Sequence, residues 1–157
     1  MSVNITAATA EIKGTTGNGA VLAIGSVTSA TPSTTYQAIG GIQDITASGI
    51  KLGAVEATDL SSRNVRRRGT TIDFGTITAT LKNANSDAGQ TSASTAQLAA
   101  VPYDFAIQYA DEDAAKTVTV TFSALVTEFG AIDLAEDKLN TSKIELTLDG
   151  AWAISAA

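Results

Sequence analysis

The second half of the chain alternates in steps of two. Val118, Val120, Phe122, Ala124 and Val126 are interleaved with Thr117, Thr119, Thr121 and Ser123. Successive strand residues point to opposite faces, so this stretch predicts one long strand over Thr117 to Phe129 with an apolar and a polar face. The same pattern recurs at Asp104 to Ala110, where Phe105, Ile107 and Tyr109 share a face. It returns over Lys143 to Ile154, where Ile144, Leu146, Leu148 and Trp152 oppose Lys143, Glu145, Thr147 and Asp149. Upstream, Ile72 to Lys82 predicts a strand with Thr76, Thr78 and Thr80 on one side and Ile77, Ala79 and Leu81 on the other. Leu52 to Leu60 predicts another, as does Tyr36 to Ile45, where Gly40-Gly41 breaks the period and predicts a bulge. Ala20 to Ile24 predicts a further strand.

Helical spacing is confined to one segment, Thr91 to Val101. Ser92 or Ser94 would cap it, Leu98 and Val101 would face a sheet, and Pro102 would end it. The elements predict a mainly β, largely antiparallel sandwich or barrel with one short α-helix. The first 35 residues are small and mixed in polarity, and include the turn-rich Gly14-Thr15-Thr16-Gly17-Asn18-Gly19. They predict an N-terminal arm over 1–35, extended and ordered by neighbours, ahead of a β domain over 36–157.

Composition agrees with the pattern. Of 157 residues, 28 are Ala and 23 are Thr, and Val, Ile and Thr together number 45. Such β-branched side chains are stiff and suit a pleated sheet. One core can be built at this length. Cys and His are both absent. That excludes a disulfide framework, thiolate chemistry, Cys- or His-bound metals and a Ser-His-Asp triad. No cofactor is expected. The net charge of -6 opposes general affinity for nucleic acid. No apolar run approaches the roughly 20 residues of a membrane helix, and Met1 to Ile5 lacks the start of a signal peptide, so no membrane partner is expected.

Charge also isolates one segment. All four arginines, Arg63, Arg66, Arg67 and Arg68, fall within six residues of an otherwise acidic chain. Arg gives bidentate contacts to carboxylate and phosphate alike. The cluster is a docking patch for an acidic protein surface, a phosphate-backbone contact, or a solvated loop. Asp133, Glu136 and Asp137 form an acidic cluster between two strands, suited to oppose the arginines across a repeated interface. Asp111-Glu112-Asp113 lacks the ligand spacing of a calcium loop and reads as a turn. GTTGNG lacks the Lys and hydroxyl of a phosphate loop. Trp152 is a core or interface residue before it is a sugar platform. Catalysis by paired carboxylates finds no support.

The order of these features resembles the major tail tube protein of long-tailed bacteriophages, whose fold is shared with contractile-tail tubes and type VI secretion tubes. The resemblance spans Tyr36 to Trp152. It rests on Tyr36-Gln37-Ala38-Ile39-Gly40-Gly41-Ile42, on Val55-Glu56-Ala57-Thr58-Asp59-Leu60, on the basic segment Arg63 to Arg68 before Gly69, and on Ile72-Asp73-Phe74-Gly75. The helix before Pro102 and the strands at Val118 to Thr127 and Lys143 to Gly150 complete it.

The resemblance implies a non-enzymatic structural subunit. Its copies form rings, usually hexameric, stacked into a hollow channel that DNA passes through. It further implies inter-ring or inter-subunit contacts through the arginine loop and the chain ends, an outer helix, and tape-measure, terminator and baseplate or tip partners. It places the protein in the virion tail after assembly in the host cytoplasm. The competing reading is a monomeric β-sandwich binding module of carbohydrate-binding or adhesin type, disfavoured by only 8 aromatics.

Overall fold

The computed structural model describes residues 3–6, 20–56, 65–84, 86–110, 117–133 and 140–156, the last three residues of 117–133 by backbone alone. The protein is mainly β with one short helix. Eleven strands occur among the described residues: β1 (Asn4–Thr6), β2 (Val21–Val27), β3 (Thr35–Ala38), β4 (Ile42–Ala47), β5 (Lys51–Glu56), β6 (Arg67–Asp73), β7 (Thr76–Lys82), β8 (Tyr103–Ala110), β9 (Thr117–Asp133), β10 (Thr141–Leu148) and β11 (Ala153–Ala156). Helix α1 spans Ala88–Ala99 between β7 and β8.

Nine strands form one mixed sheet in the order β1-β3-β2-β8-β9-β10-β7-β4, with β11 also paired to β9. All pairings are antiparallel except β1 with β3. Strands β3 and β4 lie near opposite ends of this order, yet only Ile39, Gly40 and Gly41 separate them. So short a connection reaches at most about 14 Å, so the sheet must roll until its ends approach. Two backbone hydrogen bonds hold the crossing, Ile39 N–H to Leu22 O at 2.8 Å and Lys82 N–H to Gly41 O at 2.8 Å. Among the described residues no strand pairing closes the roll into a barrel.

The rolled interior is one apolar core. The alternating positions Ile77, Ala79 and Leu81 of β7, Val118 to Val126 of β9, and Ile144, Leu146 and Leu148 of β10 all face it and are buried. Phe105 and Phe122 stack there with centroids 5.9 Å apart. Trp152 packs against the same core, half-buried.

The helix differs from its sequence expectation. It begins at Ala88, capped by Asp87 rather than by a serine, and ends on Ala100 in the left-handed region (φ 53°), before Pro102. Gly89, Gln90, Ala93 and Ala96 are its buried residues, whereas Leu98 is 84% exposed. Small residues let the helix come close to the sheet. A Cβ on Gly89 would stand 2.2 Å from the Ala38 carbonyl oxygen.

Two polar side chains fasten helix, β3–β4 crossing and β7 together. The buried Asp87 carboxylate accepts from Gly40 N–H (3.0 Å) and Gln90 N–H (2.9 Å). The Gln90 amide donates to Gly40 O (2.9 Å) and Lys82 O (2.8 Å) and accepts from Ala84 N–H (2.9 Å). Buried backbone groups at the irregular crossing are thereby satisfied, as burial requires.

Four further expectations change. Tyr36 to Ile45 is not one bulged strand but two, because Gly41 at φ 79° turns the chain. Ile72 to Lys82 is also two, divided where Gly75 takes φ 85° and donates its N–H to the Asp73 carboxylate at 2.9 Å. Lys143 to Ile154 is likewise two strands, β10 and β11. The strand expected at Ala20 to Ile24 is present as Val21–Val27, inside the segment expected to be an arm. It is nevertheless an interior strand hydrogen-bonded to β3 and β8, with Leu22, Ala23 and Ile24 fully buried or nearly so.

Candidate assembly surface

The feature that stands apart from the rolled sheet is the β5–β6 hairpin, the second, two-stranded sheet. Twelve of its thirteen strand residues are exposed, Gly53 being the exception. Its register sets Lys51 opposite Asp73, Leu52 opposite Ile72, Ala54 opposite Gly69, Val55 opposite Arg68 and Glu56 opposite Arg67. Leu52 (63%), Val55 (51%) and Ile72 (55%) are open to solvent, and so is Val65 (63%) just before β6. A lone two-stranded hairpin is marginal in water, and its apolar side chains here have no cover from the rest of the described chain.

The arginines divide at this point. Arg67 and Arg68 open β6 and Arg66 precedes it, all three exposed, and Arg63 lies outside the described residues. Of the acidic cluster, Asp133 ends β9 opposite Thr141, while Glu136 and Asp137 lie outside the described residues, as do Asp111 to Asp113 and Gly14 to Gly19.

Topology separates the described roots of the two segments along β7. The hairpin leaves after β4 and rejoins at Thr76, the start of β7. The β9–β10 connection, which carries the acids, leaves at Asp133 and returns at Thr141, which pairs with Lys82 at the other end of β7. Seven strand residues separate those ends, about 20 Å. The described roots of the β5–β6 hairpin and of the β9–β10 connection therefore lie at opposite ends of β7.

The remaining polar contacts among the described residues tie strands and loops together. Lys143 is bridged by Glu145 (2.9 Å) and Glu128 (3.2 Å) on the outer face of β9 and β10. Those hydrogen bonds, Glu145 first, hold its ammonium above the usual lysine range. Tyr36 is 2% exposed, and burial, aided by the negative charge of Asp104, raises its phenol above the usual value of 10.0. Asp104 in turn accepts from Thr28 Oγ1 (2.9 Å) and Ser33 N–H (2.8 Å), tying the 28–34 loop to β8. A cleft of about 240 Å³ beside α1 is lined by Asn83, Ala84, Gln90, Thr91, Ser94, Thr95 and Phe129, with no ionisable group. Among the described residues no three acidic side chains gather to hold a metal.

Sequence reasoning missed Asp87 and Gln90. Their spacing, an acceptor followed three residues later by Gln, is a helix-start signature just ahead of the segment expected to be helical.

This rolled sheet with one helix and a projecting hairpin is the tail-tube fold. The SPP1 tail tube aligns over 91% of this chain and 80% of its own, with TM-score 0.63 and 16% identity. The tube terminating cap of the anti-feeding prophage aligns over 94% and 95%, with TM-score 0.64 and 16% identity. The tail of an empty gene transfer agent (GTA) particle, refined in C6 symmetry, aligns over 86% and 94%, with TM-score 0.61 and 14% identity. At such identities the likeness is one of fold. No family model matches the sequence, and no curated protein matches it either.

Proposed function

We propose that this chain is the structural subunit of a tail tube, a non-enzymatic protein whose copies join into rings and stack into a hollow channel for DNA. The observation that supports this reading is a fold shared with tube proteins, on which the roots of the basic hairpin and of the β9–β10 connection lie at opposite ends of β7. Surfaces complementary at two ends of one molecule make a heterologous contact, which repeats along an axis instead of closing on itself. Stacking would cover Leu52, Val55 and Ile72 and bring Arg63, Arg66, Arg67 and Arg68 toward Asp133, Glu136 and Asp137 of the next copy.

Six copies per ring is the expected symmetry. Tape-measure, terminator and baseplate or tip proteins are the expected partners, the virion tail the expected location, and the host cytoplasm the place of assembly. DNA would pass through the lumen without staying bound, in keeping with the net charge of -6.

Negative-stain electron microscopy of the concentrated protein tests this, with open-ended tubes as the expected result. Single rings that never stack would assign the chain to a tube end. A monodisperse monomer at high concentration by light scattering would overturn the reading.

A further inference from the structure

The cleft beside α1 has walls of opposite character. One wall is the helix, where Gln90, Thr91, Ser94 and Thr95 share a side and present only amide and hydroxyl groups. The facing wall holds Phe129 of β9, half-buried at the margin of the main core and paired with Ile144. Asn83 and Ala84, where the chain leaves β7, line the end. A helix that served only to cover the core would set apolar side chains against that aromatic ring. Here about 240 Å³ stays open between an aromatic surface and a polar stripe.

The polar stripe is set before any ligand arrives. Gln90 is held by its bonds to Gly40, Lys82 and Ala84. The Thr91 hydroxyl donates to the Asp87 carbonyl oxygen, and the Thr95 hydroxyl to that of Thr91, both at 3.0 Å. Their donors are thus spent and their oxygens remain acceptors. Among the described residues the Asn83 side-chain amide and the Ser94 hydroxyl make no hydrogen bond, so both can donate and accept. Groups already fixed in place lose little freedom on binding.

The ligand class follows from these walls. No ionisable side chain lines the cleft, so a phosphate, carboxylate or ammonium group would give up water without gaining a charged partner. The volume is below the roughly 300–1,000 Å³ of sites for drug-sized molecules, so it suits one small ring. An amphipathic peptide helix needs an apolar groove and a phosphopeptide needs cations, and the lining offers neither. A sugar ring has an apolar C–H face and a rim of neutral hydroxyls. We propose that the cleft binds a neutral pyranose, with its C–H face on Phe129 and its hydroxyls on Asn83, Ser94, Thr91 and Thr95. The ring is a free sugar or the end residue of a glycan. This activity is separate from tube formation and does not depend on it.

Saturation-transfer NMR on the full wild-type chain tests this. Glucose, galactose and N-acetylglucosamine are the free-sugar probes, and maltotriose and chitotriose the chain-end probes. Saturation of the ring protons of at least one neutral sugar is expected, with affinity of about millimolar for so small a site. Stronger saturation of a terminal ring in the trisaccharides assigns the site to glycan ends, and equal saturation of the monosaccharides assigns it to free sugar. Asn83→Ala combined with Ser94→Ala is expected to weaken binding roughly tenfold while circular dichroism stays unchanged. Thr95→Val keeps the side-chain shape, removes one acceptor and is expected to weaken binding as well. No saturation of any neutral sugar overturns the proposal, as does full binding in both variants. Equal binding of glucuronate or glucosamine overturns the neutral assignment.

Discussion

Asp87 and Gly89 do different work within three residues of each other. Asp87 supplies a buried acceptor that ends the frayed start of a helix and holds the β3–β4 crossing, and Gly89 supplies the absence of a side chain. Replacing Asp87 by Ala leaves Gly40 and Gln90 N–H groups without their acceptor. A lost cap with a buried charge-assisted bond costs about 2–4 kcal/mol, to be read as a lowered urea midpoint. Gly89→Ala drives a methyl group into the Ala38 carbonyl and is expected to cost roughly 3 kcal/mol, and an unchanged midpoint would remove the close approach from the account. Tyr36 sets an alkaline limit. Its folded pKa is raised, so its contribution is present in full below the unfolded value near pH 10 and is lost as pH climbs through the folded value. Lys143, raised by Glu145 and Glu128, loses its contribution in the same direction. Stability measured from pH 8 to 11 should therefore fall at the upper end, and Tyr36→Phe should flatten that fall. An equally steep fall in Tyr36→Phe would exonerate the phenol.

At the scale of elements, the strongly alternating strands were legible and their ends were not. Buried positions on β7 and β10 follow the period-two pattern because one face of each strand meets the main core. The divisions at Gly41 and Gly75 escaped the pattern, since apolar residues continue across both turns. The helix was placed but shifted. Its packing face is made of Gly, Ala and Gln, which carry little hydrophobic signal, and Leu98 misled because no described element covers it.

The β5–β6 hairpin stands off the core, so changes in it should separate folding from assembly. Arg66→Glu, Arg67→Glu and Arg68→Glu together are expected to leave circular dichroism and melting unchanged while stopping tube growth in electron micrographs. Replacing Leu52 and Ile72 by Ser is expected to shift subunit stability by no more than about 0.5 kcal/mol, because both are already exposed, yet to weaken assembly. Normal tubes from either variant would take the hairpin out of the interface.

For the whole molecule, composition and charge order determined a β-rich, non-thiol, acidic protein with one basic segment, because those properties are local and summable. The resemblance to tube proteins was likewise carried by the order of short motifs. How the sheet rolls is not local. It follows from which strands pair, and sequence distance says little about that: β3 and β4 are neighbours in the chain and lie near opposite ends of the sheet. The same holds for Val21–Val27, whose composition suggested an arm and whose pairing with β3 and β8 makes it interior. Both charge clusters could be found by counting residues. That the roots of their two segments lie toward opposite ends of β7 depends on the register of β10 against β7 and β9. Register is decided only when every apolar face must share one core.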